Sequence, residues 1–256
     1  MSYLNISVFY SFGRSGSTLL NQCLGCHSNN AVLSEVNPAC SYRSVAWQAY
    51  HWLGLISEND LPGFSRLTYA QQVTELARLC LQQQRHLIVR DWSTVNFLAN
   101  VSSGIEPSYV LEQEFYLKNI EQLNCRQMVF TRRSSGAFHS LRTRFPQYHS
   151  LPVEEFARSY LNYAQSVCRF PIFHLEDFTA RPAHWLTNIC ECLDVAYAKD
   201  FQEKFADYKD CSGNITIGKD TFSKTSRMIT PVTSSESVAP HPLLTEADAL
   251  LGYETN

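Results

Sequence analysis

The feature that most restricts this chain is a series of short apolar segments, each leading into a stretch of helical periodicity. Asn5–Ser11 (NISVFYS), His86–Arg90 (HLIVR), Arg126–Thr131 (RQMVFT) and Pro171–Leu175 (PIFHL) read as strands. HLIVR and RQMVFT are compact runs without polar alternation, which suits strands covered on both faces. Between and after them lie helical segments. Thr18–Leu24 puts Leu19, Leu20, Cys23 and Leu24 on one side. Thr68–Gln84 repeats Tyr69, Val73, Leu76, Ala77 and Cys80 at three- and four-residue spacing. Ser108–Leu123, Ser135–Arg144, Pro152–Cys168 and Pro182–Leu193 complete the set, the last two opened by proline. Strands alternating with helices of this length predict an α/β fold, a three-layer sandwich around a central parallel sheet. Ligands of such sheets bind beyond the carboxyl ends of the strands.

Composition narrows the function. With 21 Lys plus Arg against 24 Asp plus Glu, the net charge of −3 gives no basic footprint for a nucleic-acid partner. No run approaches the roughly 20 apolar residues that span a bilayer, and Met1–Asn5 carries no basic leader. A cytoplasmic protein without a membrane partner is expected. Nine cysteines, an odd number, read as reduced thiols. The CxxC of Cys23 and Cys26 lacks the second pair that a zinc site needs, so no metal is expected. The 256 residues fit one domain spanning 1–256, with residues 230–256 expected to be a surface tail or lid.

The segment Ser11-Phe-Gly-Arg-Ser-Gly-Ser-Thr18 falls between a strand and a helix. Small residues let the backbone curl so that successive N–H groups point inward and, with the helix N-terminus, cradle a phosphate. The frame fits GxxxxGK[ST] only in part. Gly16 and Thr18 match, Ser11 replaces the first glycine, and Ser17 stands where the lysine belongs. The single cation is Arg14, inside the loop. Loss of that lysine weakens a nucleoside-triphosphatase reading.

Phe12-Gly-Arg-Ser-Gly-Ser-Thr-Leu19 resembles the 5′-phosphosulfate loop of the PAPS-dependent sulfotransferases, in the arginine form of the tyrosylprotein and many bacterial members. Gly13 departs from the proline common there. Met128–Ser140 is similar to the family's 3′-phosphate motif, a strand, an arginine and a serine eight residues on, which here are Arg132 and Ser140. An arginine at a strand end and a hydroxyl on the next helix can converge on one phosphate. Phe173–Phe178 followed by Pro182 resembles a further strand–turn–helix of the family. The resemblance spans residues 5–195 and implies a P-loop NTPase-like sulfotransferase fold.

It also implies a chemistry: transfer of the sulfuryl group of 3′-phosphoadenosine 5′-phosphosulfate (PAPS) to a hydroxyl of a small-molecule acceptor, leaving PAP and a sulfate ester. Arg14 would stabilise the leaving phosphate, and Ser15, Gly16, Ser17 and Thr18 would hold it. The base is Glu35, placed as in tyrosylprotein-type enzymes, or Asp91 at the end of the HLIVR strand. A late basic stretch contains Lys219 and Arg227, which the family's nucleotide-closing loop suggests as further phosphate ligands. Arg133 reads as solvated and His139 as facing away from the site. The aromatic-rich insert between Cys40 and Phe64 is the expected acceptor region. Two other readings stand beside this one. A P-loop kinase or NTPase would use Mg-ATP, with Thr18 and Asp91 on the metal. A nucleotide-binding module would keep the cradle without a base.

Overall fold

The computed structural model describes residues 3–42, 44–102, 104–213 and 241–254. In chain order its elements are β1 (Leu4–Tyr10), α1 (Ser17–Gly25), β2 (Asn30–Val36), α2 (Val45–His51), α3 (Leu61–Phe64), α4 (Tyr69–Gln82), β3 (His86–Asp91), α5 (Thr94–Phe97), α6 (Glu112–Leu117), β4 (Leu123–Thr131), α7 (Ser134–Arg144), α8 (Val153–Val167), β5 (Ile172–His174), α9 (Leu175–Ala180), α10 (Pro182–Leu193), α11 (Phe201–Lys204) and α12 (Pro242–Leu250).

The five strands form an all-parallel sheet in the order β2-β3-β1-β4-β5. Period-2 alternation divides each strand between two cores. Ile6, Val8 and Tyr10 of β1, Leu87 and Val89 of β3, and Val129 of β4 join α2, α4, α7, α8 and α12 on one face. Phe9, Ile88, Met128 and Phe130 join α1, α9, α10 and α11 on the other. Both faces are therefore covered, as the unalternating runs require. Burying one such side chain stabilises the fold by about 1.5–3 kcal/mol. The long helix α4 starts at a capping box: Thr68 accepts from the Gln71 N–H while the Gln71 side chain reaches back.

Strand order also says where a ligand belongs. The chain leaves β1 toward β2 and leaves β4 toward β5, in opposite directions. The crevice between the carboxyl ends of β1 and β4 is the topological switch point. The Gly/Ser loop and the Arg132 segment both open there.

The structure departs from expectation in four places. Asn30–Val36, which is not among the expected strands, is the edge strand β2. The helix expected over Ser108–Leu123 shrinks to α6, and Leu123 already starts β4. Of its apolar residues Leu111 and Leu117 are buried, whereas Tyr109, Val110, Phe115 and Tyr116 are exposed. Part of the insert between Cys40 and Phe64 is core, with Val45, Ala46, Ala49, Leu53, Leu55 and Phe64 buried. Finally, the surface tail expected over 230–256 does not hold for its described part. In α12, Leu244 and Ala247 pack with Leu251 into the same core as α8. All nine cysteines are free thiols. No described helix is long and apolar enough to cross a membrane.

Candidate active site

The loop after β1 is anchored at its base by aromatic packing. Phe12 has no exposed surface and its ring lies 5.1 Å from Tyr160 and 5.4 Å from Tyr163. Beyond it the chain curls. Arg14 and Gly16 take left-handed backbone angles, φ 72° and 78°. The Gly13 N–H donates to Thr94 Oγ1 at 2.7 Å, and the Ser15 N–H to the Phe12 carbonyl at 3.3 Å. Gly16 caps α1, so the N–H groups of the first turn face the concavity of the loop. Only glycine fits: a Cβ there would lie 2.5 Å from Leu175 Cδ1, in a conformation that costs other residues strain. Ser15 is fully buried, and its Oγ has no hydrogen-bond partner among the described residues. An unpaired buried hydroxyl costs about 1–3 kcal/mol. A loop ligand with acceptor oxygens would relieve that cost.

The second candidate anchor follows β4. Arg132 is held at its backbone by Tyr160, whose hydroxyl donates to the Arg132 carbonyl at 2.6 Å. Its guanidinium lies across Gly136 of α7, where a Cβ would come within 2.7 Å of Arg132 Nε. One turn further, Ser140 Oγ accepts a hydrogen bond from Arg14 Nε at 3.0 Å. The face of Arg14 rests 5.3 Å from the Phe145 ring centroid. Burial holds the Arg14 guanidinium below its ordinary pKa, and repulsion from Arg144 and Arg132 adds to this. Burial acts on Arg132 in the same sense. Partly desolvated cations close enough to repel one another favour an anionic ligand.

Arg133 points elsewhere. It stacks 4.9 Å from the Tyr253 ring and donates to the Glu254 carbonyl at 3.2 Å. Asp248 of α12 accepts from both the N–H and the hydroxyl of Ser134, each at 2.9 Å. The C-terminal residues thus clamp the start of the helix that carries Ser140. His139 is exposed.

The third cluster surrounds Arg90, which is 3% exposed. The register of β2 against β3 passes from Leu33↔Val89 to Val36↔Asp91, so Ser34 and Glu35 together oppose Arg90. This bulge gives Glu35 a left-handed φ of 51° and turns its carboxylate toward Arg90. Gln48 of α2 takes up the backbone groups involved: its Oε1 accepts from the Ser34 N–H at 2.7 Å and its Nε2 donates to the Ser34 carbonyl at 2.9 Å. Arg90 Nη2 donates to Glu35 Oε1 at 2.8 Å, to Ser17 Oγ at 2.9 Å and to Thr18 Oγ1 at 3.3 Å. Its Nη1 donates to Ser34 Oγ and to the Ser212 carbonyl, both at 3.2 Å. The Ser212 hydroxyl donates to Glu35 Oε2 at 2.5 Å.

Asp91, one residue later, points to the opposite face of the sheet. It is 1% exposed and accepts from Asn37 Nδ2 at 3.0 Å and from the Ser93 hydroxyl at 2.6 Å. Burial pushes its carboxyl up to about 7, against the lowering effect of those hydrogen bonds. The Trp92 N–H donates to the Val36 carbonyl at 3.2 Å, and its ring centroid lies 6.3 Å from that of the exposed Tyr42. Phe97 is core. Lys219 and Arg227 lie outside the described residues.

Sequence reasoning missed Arg90, Ser212 and Gly136 as parts of the site. Arg90 carried one usable signal, a cation ending a buried strand. Ser212 and Gly136 carried none, because their partners are distant or act through the space a missing side chain leaves.

No family model matches the chain, and no curated protein matches it in sequence. Solved structures do match in fold. The chain is similar to the sulfotransferase domain of the olefin synthase of Synechococcus PCC 7002, with a TM-score of 0.64 at 17% identity over 100% of this chain and 97% of that one. It is likewise similar to a sulfotransferase domain from the curacin biosynthetic pathway, with a TM-score of 0.63 at 15% identity over the full length of both. The α/β fold, a parallel five-stranded sheet between helical layers, is the one these domains share.

Proposed function

We propose that the chain, as a single domain, is a sulfotransferase that moves the sulfuryl group of PAPS to a hydroxyl of a small-molecule acceptor. The observation that carries this reading is the Arg14–Ser140 hydrogen bond. It joins the loop that resembles a 5′-phosphosulfate site to the helix that resembles a 3′-phosphate site, although 126 residues separate them. A bisphosphorylated nucleoside needs two anion sites on one crevice, and the switch point between β1 and β4 supplies that crevice. The unpaired Ser15 hydroxyl and the desolvated cations support an anionic occupant.

In this reading the N–H groups of Gly16, Ser17 and Thr18, with the hydroxyls of Ser15, Ser17 and Thr18, hold the 5′-phosphate. Arg132 and Ser140 hold the 3′-phosphate. Arg14 releases Ser140 and takes the bridging oxygen, where negative charge develops as the S–O bond to phosphate breaks. The acceptor oxygen forms the new S–O bond in line, and its proton passes to a carboxylate. Glu35, beside the loop through Arg90, is that base, and Asp91 is the alternative. Lys219 and Arg227 belong to the same proposal as additional phosphate ligands.

The kinase reading fits less well. It needs Thr18 and Asp91 on one metal, yet Thr18 Oγ1 faces the Arg90 guanidinium while the Asp91 carboxylate turns to Asn37 and Ser93. Thermal-shift titration with PAP, ATP and GTP tests the assignment, because selective binding raises Tm by mass action. A shift specific to PAP and unchanged by EDTA is expected. A shift requiring Mg²⁺ and ATP would transfer the protein to the kinase reading.

A further inference from the structure

A guanidinium is a donor only, and in Arg90 it is buried beneath a loop meant for an anion. We infer that Arg90 is a positioning residue: it sets the direction in which the loop hydroxyl of Ser17 presents its proton, and it ties Glu35 to the cradle. The inference rests on the sulfotransferase reading of that loop.

Ser17 Oγ accepts from Arg90 Nη2 at 2.9 Å. A hydroxyl that accepts on one side keeps its own proton for another acceptor. Ser17 is the first residue of α1 after the Gly16 cap, so that proton is available to an anion in the loop. Without Arg90, the Ser17 hydroxyl could turn its proton inward to the Glu35 carboxylate. The attractive contact between that hydroxyl and the phosphate would then be lost.

The geometry also couples groups that are distant in sequence. Nη2 carries two hydrogens and meets acceptors on Ser17, Thr18 and Glu35 among the described residues. Nη1 carries two hydrogens for Ser34 Oγ and the Ser212 carbonyl. A stronger bond to one acceptor of Nη2 weakens the others, so a loop that tightens on phosphate alters the hold on Glu35. Stability alone does not call for this arrangement. A well-packed apolar side chain commonly replaces a buried ion pair without loss. The β2 bulge, which places two residues opposite Arg90, serves the same end by bringing both Ser34 Oγ and the Glu35 carboxylate into reach.

The test is a double-mutant cycle on the full chain, with PAP as the probe and calorimetric Kd as the readout. Tm is followed in parallel. The variants are Ser17→Ala, Arg90→Met, Arg90→Lys and Ser17→Ala/Arg90→Met. Ser17→Ala is expected to weaken PAP about tenfold, as loss of a hydrogen bond to a charged group does. Arg90→Met is expected to weaken it at least as much, with Arg90→Lys in between. Once Arg90 is gone, Ser17 is no longer oriented, so the double variant should bind within about twofold of Arg90→Met. Losses that multiply in the double variant overturn the proposal. So does a folded Arg90→Met variant that binds PAP like wild type. If Arg90→Met does not fold, the cycle runs with Arg90→Lys, which keeps the charge facing Glu35 but lacks the fork, and the same two outcomes decide. Wild-type protein that binds no PAP refutes the sulfotransferase reading itself, before any variant is made.

Discussion

Arg90 and Asp91 are neighbours at the end of β3, are almost equally buried, and lead opposite lives. Arg90 faces α1 and the loop, where Ser17, Thr18, Ser34, Glu35 and Ser212 gather around it. Asp91 faces the α2–α5 side, where its contacts are the amide of Asn37 and the hydroxyl of Ser93. The charge of Arg90 is matched by Glu35 at 2.8 Å, whereas Asp91 has hydrogen bonds but no cation partner among the described residues, and burial raises its carboxyl to about 7. Side-chain alternation makes the difference. One residue of register decides whether a buried charge joins the anion crevice or a separate polar pocket.

The widest separation between the two carboxylates on these faces should appear in turnover. Glu35→Gln is expected to lower PAP release from PAPS, with 2-naphthol as acceptor probe, by about 10²–10⁴-fold, the range for loss of a general base. Asp91→Asn is expected to lose no more than about tenfold, as a change to the scaffold rather than to proton transfer. A reversed order would move the base to the other face. Arg14→Ala is the next largest, about 10²–10³-fold in the same assay, with PAP affinity falling much less, because the guanidinium acts on charge that develops during transfer. Equal losses in turnover and affinity would make Arg14 a ground-state ligand.

Gly136→Ala probes the second anchor without touching β3. A methyl group 2.7 Å from Arg132 Nε must displace the guanidinium, so PAP should bind about tenfold more weakly, roughly 1.4 kcal/mol, with turnover at saturation preserved. Unchanged affinity would separate Arg132 from the nucleotide.

The smallest effect on turnover, and the cleanest for Asp91, is a pH effect on stability. The folded carboxyl titrates near 7, against about 3.9 in an unfolded chain. Between these values the folded state binds more protons, so stability falls as pH rises from about 4 to about 7 and is flat above. Urea midpoints of wild type should drop across that window relative to Asp91→Asn. Parallel curves would show that Asp91 is ionised throughout.

Much of this architecture was legible in the chain. The runs at β1, β3, β4 and β5, the loop around Arg14 and the spacing of Arg132 to Ser140 are local patterns, and Pro182–Leu193 forms the helix its opening proline announces. The edge strand β2 was not legible, because Asn30 at its start and the Ser-Glu pair inside it leave only the three apolar residues Ala31 to Leu33 in a row. Glu35 was singled out as a candidate base by its place in the chain, but its ion pair with Arg90 was not expected. Nor was the docking of α12, since a nine-residue helix after a Ser/Thr/Pro-rich stretch shows no partner in its own periodicity.

Hydrophobic period, glycine and proline placement, and the order of strand, loop and helix depend on residues a few positions apart, and a single chain displays them. Which carboxylate meets Arg90, which hydroxyl meets Arg14, and that Asp248 caps α7 depend on a bulge, on strand order and on contacts across 55, 126 and 114 residues. Those pairings exist only once the sheet is assembled, because they cost chain entropy that no local segment can offset.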